Sequence, residues 1–184
     1  MPDLNGAERA YEYQMVHEFY GTKVTSRSGV RKIHHVTEGV YILDRLGASM
    51  MAKRAFCIHP MVQDDAELAA NFLSVVTNCD AGAVALALEY RNIANQYLSY
   101  RIIDSIDEIE LSPLDSVNLM LMADKIQNRK DFDLYNRGKI PNSDRLDVYF
   151  ANWLARLGIS EEKYQEWVAD ILAKFPEHVV LMKE

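Results

Sequence analysis

The chain is poor in the residues that staple or interrupt a fold. Two cysteines in 184 residues, Cys57 and Cys79, cannot build a disulfide framework. Both sit in apolar surroundings and read as buried thiols of a reducing compartment. Five prolines and eight glycines leave long windows in which a helix can run unbroken. No apolar run approaches the roughly 20 residues that cross a bilayer. The opening Met-Pro-Asp-Leu-Asn-Gly lacks the basic and apolar regions of a signal peptide. Positive charge is also short: 20 Lys and Arg stand against 27 Asp and Glu, a net −7, which excludes duplex nucleic acid as a partner for the whole surface but leaves a local basic pocket open. Repeats, low-complexity segments and an interdomain linker are missing too. These absences predict a cytoplasmic protein without a membrane partner, and they leave homo-oligomerisation open.

What is present is helical. A hydrophobic content of 49% with 26% charged residues is an ordinary globular balance, and the length suits one domain over residues 1–184. Apolar residues recur at helical spacing and strand alternation is almost absent, so the expected fold class is all-α, a helical bundle. Asn5-Gly6-Ala7-Glu8 reads as a capping box opening a helix through Tyr11, Met15 and Phe19. A second helix is expected from about His34 to Leu46, stopped by Gly47, and a third from about Ser49 to His59, ended or kinked by Pro60. Asp64 should cap a fourth through Phe72 and Val75, and Asp80 a long fifth from Ala81 to about Ile103. The acidic stretch from Asp104 to Leu111 reads as an exposed loop, and Ser112-Pro113 as the cap and first residue of a sixth helix. Two more are expected over about Ser143–Leu157 and Ser160–Phe175.

Three segments carry chemistry. The first is Arg27-Ser28-Gly29-Val30-Arg31-Lys32-Ile33-His34-His35, the second runs from Ala55 through His59-Pro60 to Gln63-Asp64, and the third is Leu121-Met122-Ala123-Asp124-Lys125-Ile126-Gln127-Asn128-Arg129. Two imidazoles and a carboxylate from three helices can form a facial site for Mn, Fe or Zn. Arg27, Arg31, Lys32, Lys125 and Arg129 add phosphate-binding charge to an otherwise acidic protein.

In order and spacing the three segments resemble the HD phosphohydrolase family, in particular the hydrolase half of RelA/SpoT alarmone enzymes. The resemblance covers about residues 7–135, and the C-terminal helices over 143–175 have no counterpart in it. It implies an HD-domain-like helical bundle with His35, His59 and Asp124 as metal ligands. It further implies Asp64 and Gln63 at the catalytic acid–base position, and Arg27, Ser28, Lys32, Lys125, Asn128 and Arg129 as substrate-binding residues. The activity implied is hydrolysis of a nucleotide or related phosphorylated small molecule, by analogy with removal of pyrophosphate from the 3′ position of guanosine tetraphosphate. This chain departs from the family pattern at three places: Pro60 replaces a ligating aspartate, Gln63 a glutamate and Ser26 an arginine. The expected divalent metal is therefore weakly held. The same departures keep open a degenerate HD domain that sequesters a nucleotide without hydrolysis, and, further off, a helical protein-binding adaptor.

Plainer roles stand beside these. Asp64 with Glu67 three residues on is also a helix cap. His34 is expected to turn away from the site, and His17 and His178 to lie on the surface. Arg145, Tyr149, Asn152 and Trp153 read as packing and surface, and Lys32 and Lys125 as partly exposed.

Overall fold

Each helix begins and ends for a local reason, and the computed structural model describes them over residues 4–26 and 28–180. The first segment is split. A 3₁₀ turn at Ala7–Arg9 precedes α1 (Tyr11–Tyr20), because Ala10 is extended. The Glu8 carboxylate accepts the N–H groups of Leu4 and Gly6, while Asn5 turns to Asp44 instead of closing a capping box. Helices α2 (Lys32–Arg45) and α3 (Met50–Ile58) meet at Gly47, whose φ of 71° suits only glycine well. There the N–H of Gly47 reaches Asp44 O and that of Ala48 reaches Leu43 O, a Schellman ending.

Pro60 neither stops nor sharply breaks the chain. Residues His59–Met61 tighten into a 3₁₀ turn that keeps His59 on the end of α3. Helix α4 (Asp65–Asn78) is capped by Asp64, whose carboxylate accepts from Glu67 N at 2.7 Å, and α5 (Ala81–Ala94) by Asp80. Helix α5 ends well before Ile103. Tyr97 is drawn into the core against Tyr149 and Trp153, its carbonyl accepts from Trp153 Nε1, and Asn95 donates to Gln63 O. Tertiary packing thus overrides the apolar pattern of that segment. The acidic stretch is anchored rather than wholly exposed: it holds a 3₁₀ turn at Ile106–Glu108 with a Ser105–Glu108 capping box, and Ile109 is buried.

Helix α6 (Asp115–Asp131) starts later than its sequence signal, with Leu114 at the cap. The Ser112 hydroxyl donates to Glu89 and accepts from Leu114 N, which bends the chain into the helix. A π turn at Phe132–Asn136 continues α6, and α7 (Ser143–Arg156) and α8 (Glu161–Lys174) follow as expected.

Helix α6 is the axis of the bundle, with α2, α3, α5, α7 and α8 packed around it. Ten of its residues are buried, among them Asp124, Lys125, Gln127, Arg129 and Lys130, so a helix without an obvious apolar stripe still lies at the centre. Such groups tolerate burial only when paired. Helices α2 and α3 approach closely through Gly39, where a Cβ would lie 2.1 Å from the Phe56 ring. That approach sets the start of α2 and the end of α3 together beside the middle of α6. Among the described residues, no helix is long and apolar enough to cross a membrane.

Candidate metal centre

Three helices each deliver one donor to a single point. His35 lies in the first turn of α2, His59 just past the end of α3, and Asp124 midway along α6. His35 Nε2 and His59 Nε2 are 3.2 Å apart, and Asp124 Oδ1 lies 3.5 Å from the first and 3.9 Å from the second. Metal–ligand arms near 2.1 Å at tetrahedral angles set ligand atoms about 3.4 Å apart. Two edges of the triangle therefore fit, and the third needs a shift of about half an ångström.

The hydrogen bonds around the imidazoles orient them for this. His59 Nδ1 donates to the backbone carbonyl of Phe56 at 2.6 Å, and a carbonyl can only accept. His35 Nδ1 donates to Gln127 Oε1, also at 2.6 Å. Each neutral ring thus carries its proton on Nδ1, and both Nε2 lone pairs face one another and the Asp124 carboxylate. A metal ion between these atoms would offset the repulsion.

The electrostatics favour ligating forms. Burial pushes the Asp124 carboxyl up, but the Lys125 ammonium and the imidazoles of His35 and His59 outweigh it and hold it down at about 2. Burial, then the neighbouring His35, pushes His59 down to about 3, so it is neutral. Lys125 donates to Asp124 Oδ2 at 2.7 Å and to Tyr149 Oη at 3.1 Å, and Asn128 donates to Asp124 Oδ1 at 2.8 Å. The pair Asp124–Lys125 is buried and mutually neutralised, with the ammonium 5.1 Å from the Trp153 ring. Two histidines and a carboxylate suit Zn, Fe or Mn by ligand type.

A cavity of about 330 Å³ opens over the triad, walled by Lys32, Pro60, Gln63, Lys125, Asn128 and Tyr149 among others. A tight loop with an antiparallel bridge between Val24 and Arg31 forms its rim. On one side it adjoins a polar cavity of about 730 Å³ that shares Tyr20, Lys32, Pro60 and Gln63 and adds Asp64, Asp65 and Arg91. On the other it adjoins a cavity of about 420 Å³ that shares Asn128 and Tyr149 and adds Ser28, Phe132 and Phe150.

Not every expected site residue meets there. Arg27 lies outside the described residues. Ser28 is held by Thr25 and faces the aromatic side cavity, away from the triad. Lys32 is exposed at the rim as expected, but Lys125 is buried, tied down by Asp124. Arg129 is turned away: its guanidinium pairs with Glu161 at 2.7 Å and lies 4.1 Å from the Tyr164 ring, so it joins α6 to α8. Asp64 is an exposed cap that lines only the polar side cavity, while Gln63 lines both that cavity and the central one. His34 does turn away and stacks on His178 with ring centroids 3.6 Å apart. His178 itself is buried, because Glu38 accepts from its Nδ1 at 2.9 Å, whereas His17 is exposed. Tyr149 belongs to the site as well as to the packing. Sequence reasoning also missed Gln127, although its place three residues after Asp124 puts it on nearly the same helix face.

No family model, curated protein or solved structure matches this chain.

Proposed function

We propose that this protein is a metal-dependent phosphohydrolase of the HD type, acting on a nucleotide or a related phosphorylated small molecule. The observation that carries the reading is the convergence of two imidazole Nε2 atoms, each with its Nδ1 hydrogen-bonded elsewhere, and the Asp124 carboxylate on one point. His35, His59 and Asp124 would hold the ion. A divalent metal at that point supplies Lewis acidity to a phosphoryl oxygen and acidifies water.

The chain's own residues provide the rest. Lys32 at the rim and Arg31 beside it set positive charge against an incoming phosphate. Lys125 keeps Asp124 ionised, and Tyr149 and Trp153 keep water from its ammonium. The side cavity with Phe132, Tyr149, Phe150 and Asn128 combines flat apolar walls with an amide, which suits a nucleobase. Gln63 holds no proton-accepting carboxylate, so proton transfer falls to Asp64, which would first have to leave its cap.

That demand favours a second reading, a module that binds a nucleotide without turning it over. One experiment separates them. The protein is stripped of metal, reloaded with Mn²⁺ or Zn²⁺, and offered a panel of 3′- and 5′-phosphorylated nucleotides while released phosphate and pyrophosphate are followed. Hydrolysis that disappears in Asp124→Asn supports the enzyme. Thermal stabilisation by a nucleotide without hydrolysis supports the binding module, and neither response contradicts both.

A further inference from the structure

A histidine binds a metal through Nε2 only while its proton sits on Nδ1, and a free neutral imidazole exchanges between both forms. His59 has a backbone carbonyl to settle the matter. His35 has only Gln127, whose amide would serve equally well in either orientation if nothing held it. Two carboxylates hold it. Gln127 Nε2 donates to Glu38 Oε2 at 3.1 Å and to Asp131 Oδ2 at 3.0 Å, and ionised carboxylates only accept. Turning the amide over would set its carbonyl against both. Glu38 is itself held, by the Lys130 ammonium at 2.8 Å on the same oxygen and by His178 Nδ1 at 2.9 Å on the other.

This chain of bonds is costly for a mere tether. Gln127 and Glu38 are 0% and 1% exposed, and a buried ion pair adds less stability than well-packed apolar residues of the same volume. Both arms converge on Glu38: His178, in the turn at Pro176–His178, donates to it from one end, and His35 donates to Gln127, which donates to it from the other.

We propose that Gln127 is a positioning residue that holds His35 with its proton on Nδ1 and Nε2 bare toward His59 and Asp124, and that His178 secures this hold through Glu38. The proposal rests on the metal reading above, but its first test needs no metal. Metal-stripped protein labelled with ¹⁵N at histidine reports the proton position on His35 directly. The wild type should show the Nδ1–H form, and Gln127→Leu a mixture of both. In Zn²⁺ competition titrations run well below the melting temperature, Gln127→Leu should bind about 10- to 100-fold more weakly. His178→Phe keeps the stack on His34 and Phe175, removes only the N–H toward Glu38, and should weaken binding about twofold to tenfold. Gln127→Leu takes one donor from each of two carboxylates and can cost the fold, in which case His178→Phe decides. An Nδ1–H form of His35 that persists in Gln127→Leu overturns the proposal. So do unaltered His35 resonances and unaltered Zn²⁺ affinity in His178→Phe. A wild type that binds no metal, yet loses the Nδ1–H form in Gln127→Leu, upholds the positioning role and overturns the metal reading instead.

Discussion

Replacing Gly39 by alanine tests the packing that brings the three ligands together. A Cβ at this position lies 2.1 Å from Phe56 Cε1 and 2.3 Å from Cζ, against a relaxed carbon–carbon contact of about 3.5 Å or more. The ring would have to retreat by over an ångström, and it has nowhere to go. Phe56 is 0% exposed and packs against the rings of both His35 and His59, with centroids 5.7 and 4.5 Å away. Alanine gains about 1 kcal/mol in helix propensity. Forcing a methyl into a filled core costs about 1–3 kcal/mol, and an overlap this severe belongs at the upper end. The net loss is about 2 kcal/mol, which for a chain of this length lowers Tm by about 4–8 °C. Because the Phe56 carbonyl orients His59, metal affinity should fall in the same variant. Calorimetry or thermal circular dichroism reads the first effect. A Tm unchanged or raised in Gly39→Ala would show that α2 and α3 do not approach as described.

Three further predictions concern the site and its supports. Pro60→Asp restores a carboxylate beside His59 and should tighten Mn²⁺ binding by about tenfold, or 1.4 kcal/mol; equal affinities in side-by-side titrations would mean that position 60 does not face the ion. Arg129→Ala loses the pair with Glu161 and the stack on Tyr164, so it should cost about 1–2 kcal/mol of stability in denaturant titrations and leave nucleotide binding intact; weaker nucleotide binding at unchanged stability would return it to the site. Glu38 is pushed up by burial but pulled lower overall by His178 and Lys130, so its folded pKa lies below the ordinary 4.5. Its contribution is therefore full above about pH 4.5 and is lost as pH falls further, through the folded pKa. Glu38→Gln should be less stable at pH 7 and show a shallower loss between pH 4.5 and 2, and parallel acid limbs for the two proteins would contradict this.

Much of this was legible in the residues. Helical periodicity fixes the fold class, and caps such as Asp64, Asp80 and Ser160 mark where α4, α5 and α8 begin. His35, His59 and Asp124 come together as the resemblance to the HD pattern implies. Arg129, which the resemblance implies at the site, is carried away from it by the helix itself. At about 100° per residue it sits about 140° around α6 from Asp124, whereas Asn128 is only about 40° away. The early end of α5 and the burial of His178 carry no local signal. The first depends on Trp153 reaching Tyr97, and the second on Glu38, far away in the chain. Long-range partners of this kind decide burial against propensity.

Whether the triad is a metal centre is decided most directly by titrating metal-stripped protein with Zn²⁺ or Mn²⁺ beside His35→Ala and Asp124→Asn. The expected result is one ion per chain, held weakly enough to be lost on dialysis, and no binding in either variant at the same concentrations. Failure of the wild type to bind at millimolar metal would contradict the account, as would equal binding by all three proteins.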